Sequence, residues 1–347
     1  MNLQSIILVI LHQCERLLDS NPFYCCTDAI MKYIEVIWEK RCIKKMAIES
    51  ETDNSETVAS NVTILKCLQE KGIYYKQVIG KGTFSSVRCA WHSEMKKNVA
   101  LKIIDTSSNS DFIVRFLPRE KIIVQQLNHA NIIKNFEIIN EEPYVCFVQE
   151  YAMHGDLLQK IKKNNWIDED EGRFYFRQLI EALTYLKSIS IAHRDIKCEN
   201  VLLDSCDNVK LGDFGFARFM KADEVSHTFC GSRAYVAPEL LRSYPYNGFL
   251  ADIWSTGILL YVMVTGFMPY DDRNIDKMLE KQLQHRITFP RRRNLSAEVK
   301  ELIYAMVHPV PLKRRPYDEI IKSSWLADIK YELRTEPFSQ NSDKITS

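Results

Sequence analysis

Long hydrophobic runs are the first thing this sequence lacks. The run Ile6 to Leu11 near the start falls far short of the ~20 residues that cross a bilayer. No basic n-region precedes it and no small-residue cleavage site follows, so no secretory leader and no membrane span are expected. Charge imbalance is also missing. Lys and Arg number 46 against 45 Asp and Glu, a net charge of +1, which supplies no global field for nucleic acid or a membrane surface. The triplet Arg291-Arg292-Arg293 has no interleaved aromatics and reads as a solvated loop. The ten cysteines form no Cys-x-x-Cys pair, and no histidines cluster at zinc spacing. Reduced thiols in a cytoplasmic protein follow, without a cysteine-metal site. Aromatics are absent from Glu49 to Asn61, which is rich in Glu, Asp, Ser, Thr and Asn and reads as a flexible linker. Asn61-Val62-Thr63 has the form of a glycosylation acceptor, silent in a cytosolic chain. The remainder is ordinary for a soluble globular protein: 347 residues, 46% hydrophobic and 26% charged, enough for one large or two modest domains.

The chemistry-bearing residues concentrate in Ile191-Ala192-His193-Arg194-Asp195-Ile196-Lys197-Cys198-Glu199-Asn200, followed by Asp213-Phe214-Gly215. Asp213 lies 18 positions after Asp195 (213 − 195). Such a set suits phosphoryl transfer. One carboxylate orients the acceptor hydroxyl, a cation steadies the moving phosphoryl group, and an amide with a second carboxylate holds Mg²⁺ against a nucleotide.

Upstream, apolar residues recur with a period of two. Tyr74 to Ile79, Ser86 to His92 and Asn98 to Ile104 are predicted strands. Gly80-Lys81-Gly82-Thr83-Phe84-Ser85-Ser86-Val87 joins the first two, and its glycines let backbone N–H groups approach phosphate oxygens. Lys102 sits in the apolar run Val99-Ala100-Leu101-Lys102-Ile103-Ile104, which predicts a buried, paired lysine rather than a solvated one. Glu171 to Ile191 reads as one long amphipathic helix with Phe174, Leu179, Ala182, Leu183 and Leu186 inward.

Together these motifs resemble the catalytic and magnesium loops of eukaryotic protein kinases, over roughly Ile73 to Trp325. Phe116-Leu117-Pro118-Arg119-Glu120, His154-Gly155-Asp156-Leu157-Leu158, Lys197-Cys198-Glu199-Asn200, Asp213-Phe214-Gly215-Phe216-Ala217-Arg218 and Met268-Pro269-Tyr270-Asp271-Asp272 are similar to the testis-specific serine kinases. That branch lies near the calmodulin-dependent and AMP-activated kinases. The resemblance implies an α+β, bilobal fold, with a small antiparallel sheet plus one helix over 73–150 and a mainly helical lobe over 151–327. It implies ATP and Mg²⁺ as cofactors and protein Ser/Thr acceptors as substrates.

Carried onto this chain, the resemblance makes Asp195 the catalytic base and Lys197 the mark of a Ser/Thr kinase. Asn200 and Asp213 become metal ligands. The nucleotide site comprises Ile79, Gly80, Lys81, Gly82, Thr83, Phe84, Ser85, Val87, Ala100 and Lys102, with Glu120 as the conditional partner of Lys102. Tyr144 to Tyr151 becomes the last strand of the small lobe. Gln149 stands at the gatekeeper, a polar residue where the subfamily usually has methionine. Glu150 and Ala152 then present backbone groups to adenine, and Asp156 lies near the ribose. Thr228 matches the activating phosphothreonine, with Arg194 placed to pair with it; the alternative is a constitutively ordered loop. His193 packs near Phe214, Asp252 ties to the catalytic loop, and Glu239 pairs with Arg314. Asp156 and Glu199 imply arginine upstream of the acceptor, and an upstream activating kinase and a role in spermatogenesis are implied as well. The rival reading is a pseudokinase scaffold.

Residues 1–47 read as two helical segments broken near Asn21-Pro22, either an extra regulatory or docking element or a poorly ordered extension. Residues 48–72 read as an acidic and polar linker. Residues 328–347 read as a C-terminal tail, too short for a calmodulin-binding autoinhibitory helix of the usual kind and disordered from Thr335.

Overall fold

A computed structural model describes residues 64–82, 85–108, 110 and 112–336. The predicted helical extension 1–47, the linker up to residue 63 and the tail from residue 337 lie outside the described residues. The chain divides into two compact units, Met1–Lys76 and Gln77–Ser347. In the first, residues 64–70 are helical. That differs from the linker expected there, and the apolar residues Ile64, Leu65 and Leu68 at helical spacing account for it.

The second unit begins within β1 (Ile73–Lys81). Then come β2 (Ser85–His92), β3 (Lys97–Asp105), α1 (Leu117–Gln126), β4 (Asn135–Glu141) and β5 (Tyr144–Glu150). The strands form one five-stranded sheet in the order β1-β2-β3-β5-β4. The β2–β3, β3–β5 and β4–β5 pairings are antiparallel. The bounds of β1, β2 and β3 follow the period-two pattern to within two residues, β5 lies where the resemblance put it, and β4 was not predicted. Val99, Leu101 and Ile103 are buried on β3, and Val145 to Val148 on β5. Central strands of this kind bury both faces and read as continuous apolar runs.

The second lobe is mostly helical, with α2 (Leu157–Asn164) and α3 (Glu169–Ser188) leading into β6 (Ile191–Ala192). The predicted helix 171–191 is therefore shifted. Glu169, Asp170 and Glu171 occupy the first turn, where the helix dipole favours carboxylates. At the far end Ser190 takes φ 60°, a left-handed conformation that ends a helix. Ile191 and Ala192 then pair with β9 (Arg218–Phe219). Phe174 is half-buried rather than inward.

The hairpin β7 (Val201–Leu203) and β8 (Val209–Leu211) lies between the catalytic and magnesium motifs. The activation segment, residues 213–239 by the resemblance, runs into α4 (Pro238–Leu241), and α5 (Gly248–Thr265), α6 (Ile275–Leu283), α7 (Ala297–Met306) and α8 (Tyr317–Ile321) follow. Among the described helices, α5 is the one long and apolar enough to cross a bilayer, and it is buried in the core of this lobe. Trp254, Ile258, Leu259 and Met263 on it are at most 1% exposed, each worth roughly 1.5–3 kcal/mol of burial. Asn247 caps α5 by accepting from Phe249 N and Leu250 N. Gly266 ends it at φ 77°, and a Cβ there would lie 1.8 Å from Asn165 O. Helix α5 is thus fixed at both ends, and the loop of His193 and Arg194 hangs from Asp252 in its second turn.

Candidate active site

Asp252, in the first half of α5, is 2% exposed. Its carboxylate accepts hydrogen bonds from His193 N and Arg194 N, both at 2.7 Å. This clamps a backbone that turns left-handed at Arg194, φ 66°. His193 is fully buried, its ring 4.9 Å from that of Phe214, with Nε2 3.1 Å from Gly212 O. Burial lowers its pKa, and it serves packing.

The clamp presents Asp195. Lys197 Nζ donates to Asp195 Oδ2 at 2.7 Å, and Asn200 Nδ2 donates to Asp195 O at 2.8 Å and to Oδ2 at 3.2 Å. The other oxygen, Oδ1, accepts from Ser232 N and Ser232 Oγ at 2.8 and 2.9 Å. Lys197 Nζ also donates to Ser232 Oγ at 2.8 Å. Ser232 therefore ties the activation segment to both polar residues, a link the sequence reading did not make.

Opposite, Lys102 leaves β3 and meets two carboxylates. Its Nζ lies 2.7 Å from Glu120 Oε1 on α1 and 2.8 Å from Asp213 Oδ1. The pair expected to be conditional is formed. Burial works against the lysine's charge, but Asp213 and Glu120 outweigh it and raise its pKa. Lys102 in turn holds Asp213 down to about 2, while burial pushes Glu120 up. Asp213 itself takes φ 56°.

Of the glycine strand, Ile79, Gly80 and Lys81 end β1, Gly82 follows it, and Ser85 and Val87 begin β2. Thr83 and Phe84 lie outside the described residues. Gly82 N donates to Ser85 O at 2.7 Å, closing the turn. A Cβ on Gly82 would come within 3.0 Å of Ser85 Oγ, so the small residue keeps this approach open. Ala100 lies opposite Gln149 in the β3–β5 register. Glu150 ends β5, paired with Lys210 at 2.7 Å, and Ala152 follows it. Asp156 caps α2, accepting from Gln159 N at 2.8 Å and from Gln159 Nε2.

In the activation segment Arg194 Nε donates to Phe216 O at 2.8 Å, and Nη1 to Ser226 Oγ at 3.2 Å and Tyr246 OH at 3.4 Å. Its Nη2 is buried without a partner. Thr228 is half-buried. Its N donates to Ser226 Oγ at 3.3 Å, and its carbonyl accepts from Tyr246 OH at 2.8 Å. Burial, then the neighbouring charges of Arg194, Arg218 and Arg115, lower the pKa of Arg119. Four guanidiniums thus share one region. Arg115 and Arg119 were not singled out from the sequence; two arginines in one turn of α1's approach were the available signal.

Comparison with known proteins agrees with this geometry. The protein kinase domain matches residues 73–326. This chain belongs to the protein kinase family. Its kinase domain is 46% identical over 266 residues to mouse testis-specific serine/threonine-protein kinase 2, covering 75% of this chain and 74% of the relative. It is 39% identical over 264 residues to human testis-specific serine/threonine-protein kinase 3, covering 75% and 98%. Rice CBL-interacting protein kinase 31 is 37% identical over 253 residues, covering 72% of this chain and 56% of that protein. The kinase domain is thus on the serine/threonine branch, and ATP and Mg²⁺ are the family's usual cofactors. The donor set suits them. Asn200 and Asp213 offer oxygen ligands, and a hard cation is ordinarily held by one or two carboxylates plus nucleotide phosphates. No group of three or more His, Cys, Asp or Glu able to hold a metal occurs among the described residues.

Proposed function

We propose that this chain is an active kinase that transfers the γ-phosphoryl group of Mg-ATP to Ser or Thr of protein substrates. The observation that carries the reading is the completed pair of constellations. Lys102 joins Glu120 to Asp213, while Asp195 is locked at both oxygens by Lys197, Asn200 and Ser232. The rival reading is a pseudokinase scaffold, and the presence of all these groups favours the active enzyme over it.

In this reading Lys102 steadies the α and β phosphates, with Gly80 and Gly82 leaving room for backbone N–H donors above them. Glu150 and Ala152 border the adenine, and Asp156 the ribose. Mg²⁺, held by Asn200 and Asp213, would neutralise charge on the transferring phosphoryl group. Asp195 orients the acceptor hydroxyl and takes its proton. Lys197 lies where it counters the developing charge.

Thr228 is the proposed switch. Phosphorylation by an upstream kinase adds about −1.5 to −2 charges and three acceptor oxygens. The unpaired Nη2 of Arg194 is a donor in need of such an acceptor. Glu199 is exposed and Asp156 half-buried, and they support a preference for arginine upstream of the acceptor. A cytoplasmic protein acting in spermatogenesis is the setting we infer from its relatives.

The test incubates full-length protein, with and without phosphate on Thr228, with Mg-ATP and a Ser/Thr peptide library. Expected are transfer to peptides with upstream arginine, a gain on Thr228 phosphorylation, and a loss of roughly a hundredfold or more in Asp195→Asn. No transfer by the primed protein leaves the scaffold reading in its place.

A further inference from the structure

Three amide side chains behind the nucleotide cleft are buried together: Asn131 before β4, Gln178 on α3 and Asn208 before β8. They are 0, 1 and 4% exposed. They bond in series. Asn131 Nδ2 donates to Gln178 Oε1 at 3.0 Å, and Gln178 Nε2 donates to Asn208 Oδ1 at 3.0 Å. Buried amides demand partners for every donor and acceptor. The kinase fold supplies several: Asn131 Nδ2 reaches Val209 O at 2.8 Å, and Gln178 Oε1 accepts from Val209 N at 2.7 Å.

Asn208 Nδ2 also donates to Asp204 Oδ2 at 3.2 Å, and further partners come from the end of the described chain, past the last residue of the kinase-domain match. Tyr331 OH donates to Asn131 Oδ1 at 2.9 Å, and Glu332 O accepts from Gln178 Nε2 at 2.8 Å. Arg334 N donates to Asn208 Oδ1 at 2.8 Å, and Arg334 O accepts from Asn208 Nδ2 at 2.9 Å. The Arg334 guanidinium covers the Phe174 ring at 3.8 Å, which satisfies the half-buried aromatic noted above. Each of the three amides thus has a group met by residues 331–334. The segment read from sequence as the start of a tail is a docked strap.

Its most upstream contact falls on a sensitive turn. Asn131 lies between α1, which carries Glu120, and β4. Its carbonyl accepts from Leu211 N at 2.8 Å, and Ile133 N donates to Leu211 O at 2.9 Å. Leu211 ends β8, two residues before Asp213. One turn therefore links the helix of Glu120 to the strand that delivers Asp213, and Tyr331 holds that turn by its side chain.

We propose that residues 331–334 form a C-terminal latch and that Tyr331 is a positioning residue for the Lys102–Glu120–Asp213 constellation. The functional consequence rests on the kinase reading above. Removing the hydroxyl leaves the buried Asn131 Oδ1 unsatisfied, which favours local opening of residues 127–133 and 209–213.

The experiment uses the full chain carrying Tyr331→Phe, a change small enough to keep the fold. An exposed control, Leu312→Ala, is made on the same background; Leu312 is 88% exposed. Hydrogen–deuterium exchange is expected to quicken about five- to tenfold in residues 127–133 and 209–213, and not elsewhere. Affinity for Mg-ADP, measured by calorimetry, is expected to fall about two- to fivefold, the control leaving both unchanged. Unaltered exchange in those two segments overturns the latch, as does a uniform rise across the domain, which would mean a merely structural role. Both readouts work without catalysis. Localised exchange with weaker Mg-ADP binding in a protein that transfers no phosphate supports the latch while removing the kinase reading.

Discussion

Two buried ion pairs in this domain look alike and behave differently. Arg314 meets Glu239 with two parallel bonds, Nη1 to Oε1 at 2.7 Å and Nη2 to Oε2 at 2.6 Å. Its remaining donors reach His308 O at 3.0 Å and Leu250 O at 2.8 Å. Every partner lies in the helical lobe. Lys102 meets Glu120 with one bond, leaves Glu120 Oε2 buried without a partner, and shares its charge with Asp213. The first pair is over-determined and structural. The second spans β3, α1 and the loop of Asp213, and it leaves one Glu120 oxygen without a partner, as suits the conditional pair expected from the resemblance. A planar, always-charged guanidinium suits the fixed role, and a point charge on a flexible stem suits the conditional one.

The largest expected effect breaks the fixed pair. Glu239→Ala strands the Arg314 charge in the core and should cost roughly 3–5 kcal/mol of stability. Chemical denaturation measures this, and a loss under about 1 kcal/mol would place the pair with ordinary surface bridges. Lys102→Met should invert the pattern. Phosphoryl transfer should fall about a hundred- to a thousandfold while the denaturation midpoint moves little, because Glu120 can take up a proton once its cation is gone. Steady-state kinetics beside the same denaturation curve separate the two outcomes.

The smallest effect is in pH. Lys102 depresses Asp213 from the ordinary 3.8 to about 2. A lowered folded pKa contributes stability that is present above 3.8 and is lost as pH falls toward 2. Unfolding free energy followed from pH 6 downward should therefore decline across that window. The Lys102→Met protein should show a shallower decline, since its Asp213 has no cation to hold it down while other lowered carboxylates such as Glu169 still titrate. An identical acid limb in both proteins would detach Asp213 from Lys102.

The two regions also differ in how far they could be read in advance. β1, β2 and β3 were legible because period-two patterning and a buried lysine leave few alternatives, whereas β4, mostly half-buried with no clean alternation, was not predicted. The candidate site residues could be named in advance because their spacings are short: Asp195, Lys197 and Asn200 sit on one loop. Ser232 was not, since its bonds to Asp195 cross 37 positions and a lone serine has no pattern. The end of α3 was misplaced because Ile189 and Ile191 continue an apolar periodicity that a left-handed Ser190 interrupts. The latch was invisible for a stronger reason. Asn131, Gln178, Asn208 and Tyr331 are ordinary surface residue types, and only their convergence makes them a network.

The amino-acid sequence by itself determined the family, the lobes and the identities of the groups that can handle a phosphoryl transfer, because those depend on local patterning and short spacings. Tertiary structure alone decided that Lys102 holds both Glu120 and Asp213, that Ser232 braces Asp195, and that residues 331–334 belong to the folded body. Each of those outcomes depends on buried polar groups finding partners far along the chain, and a hydrogen bond is set by distance in space.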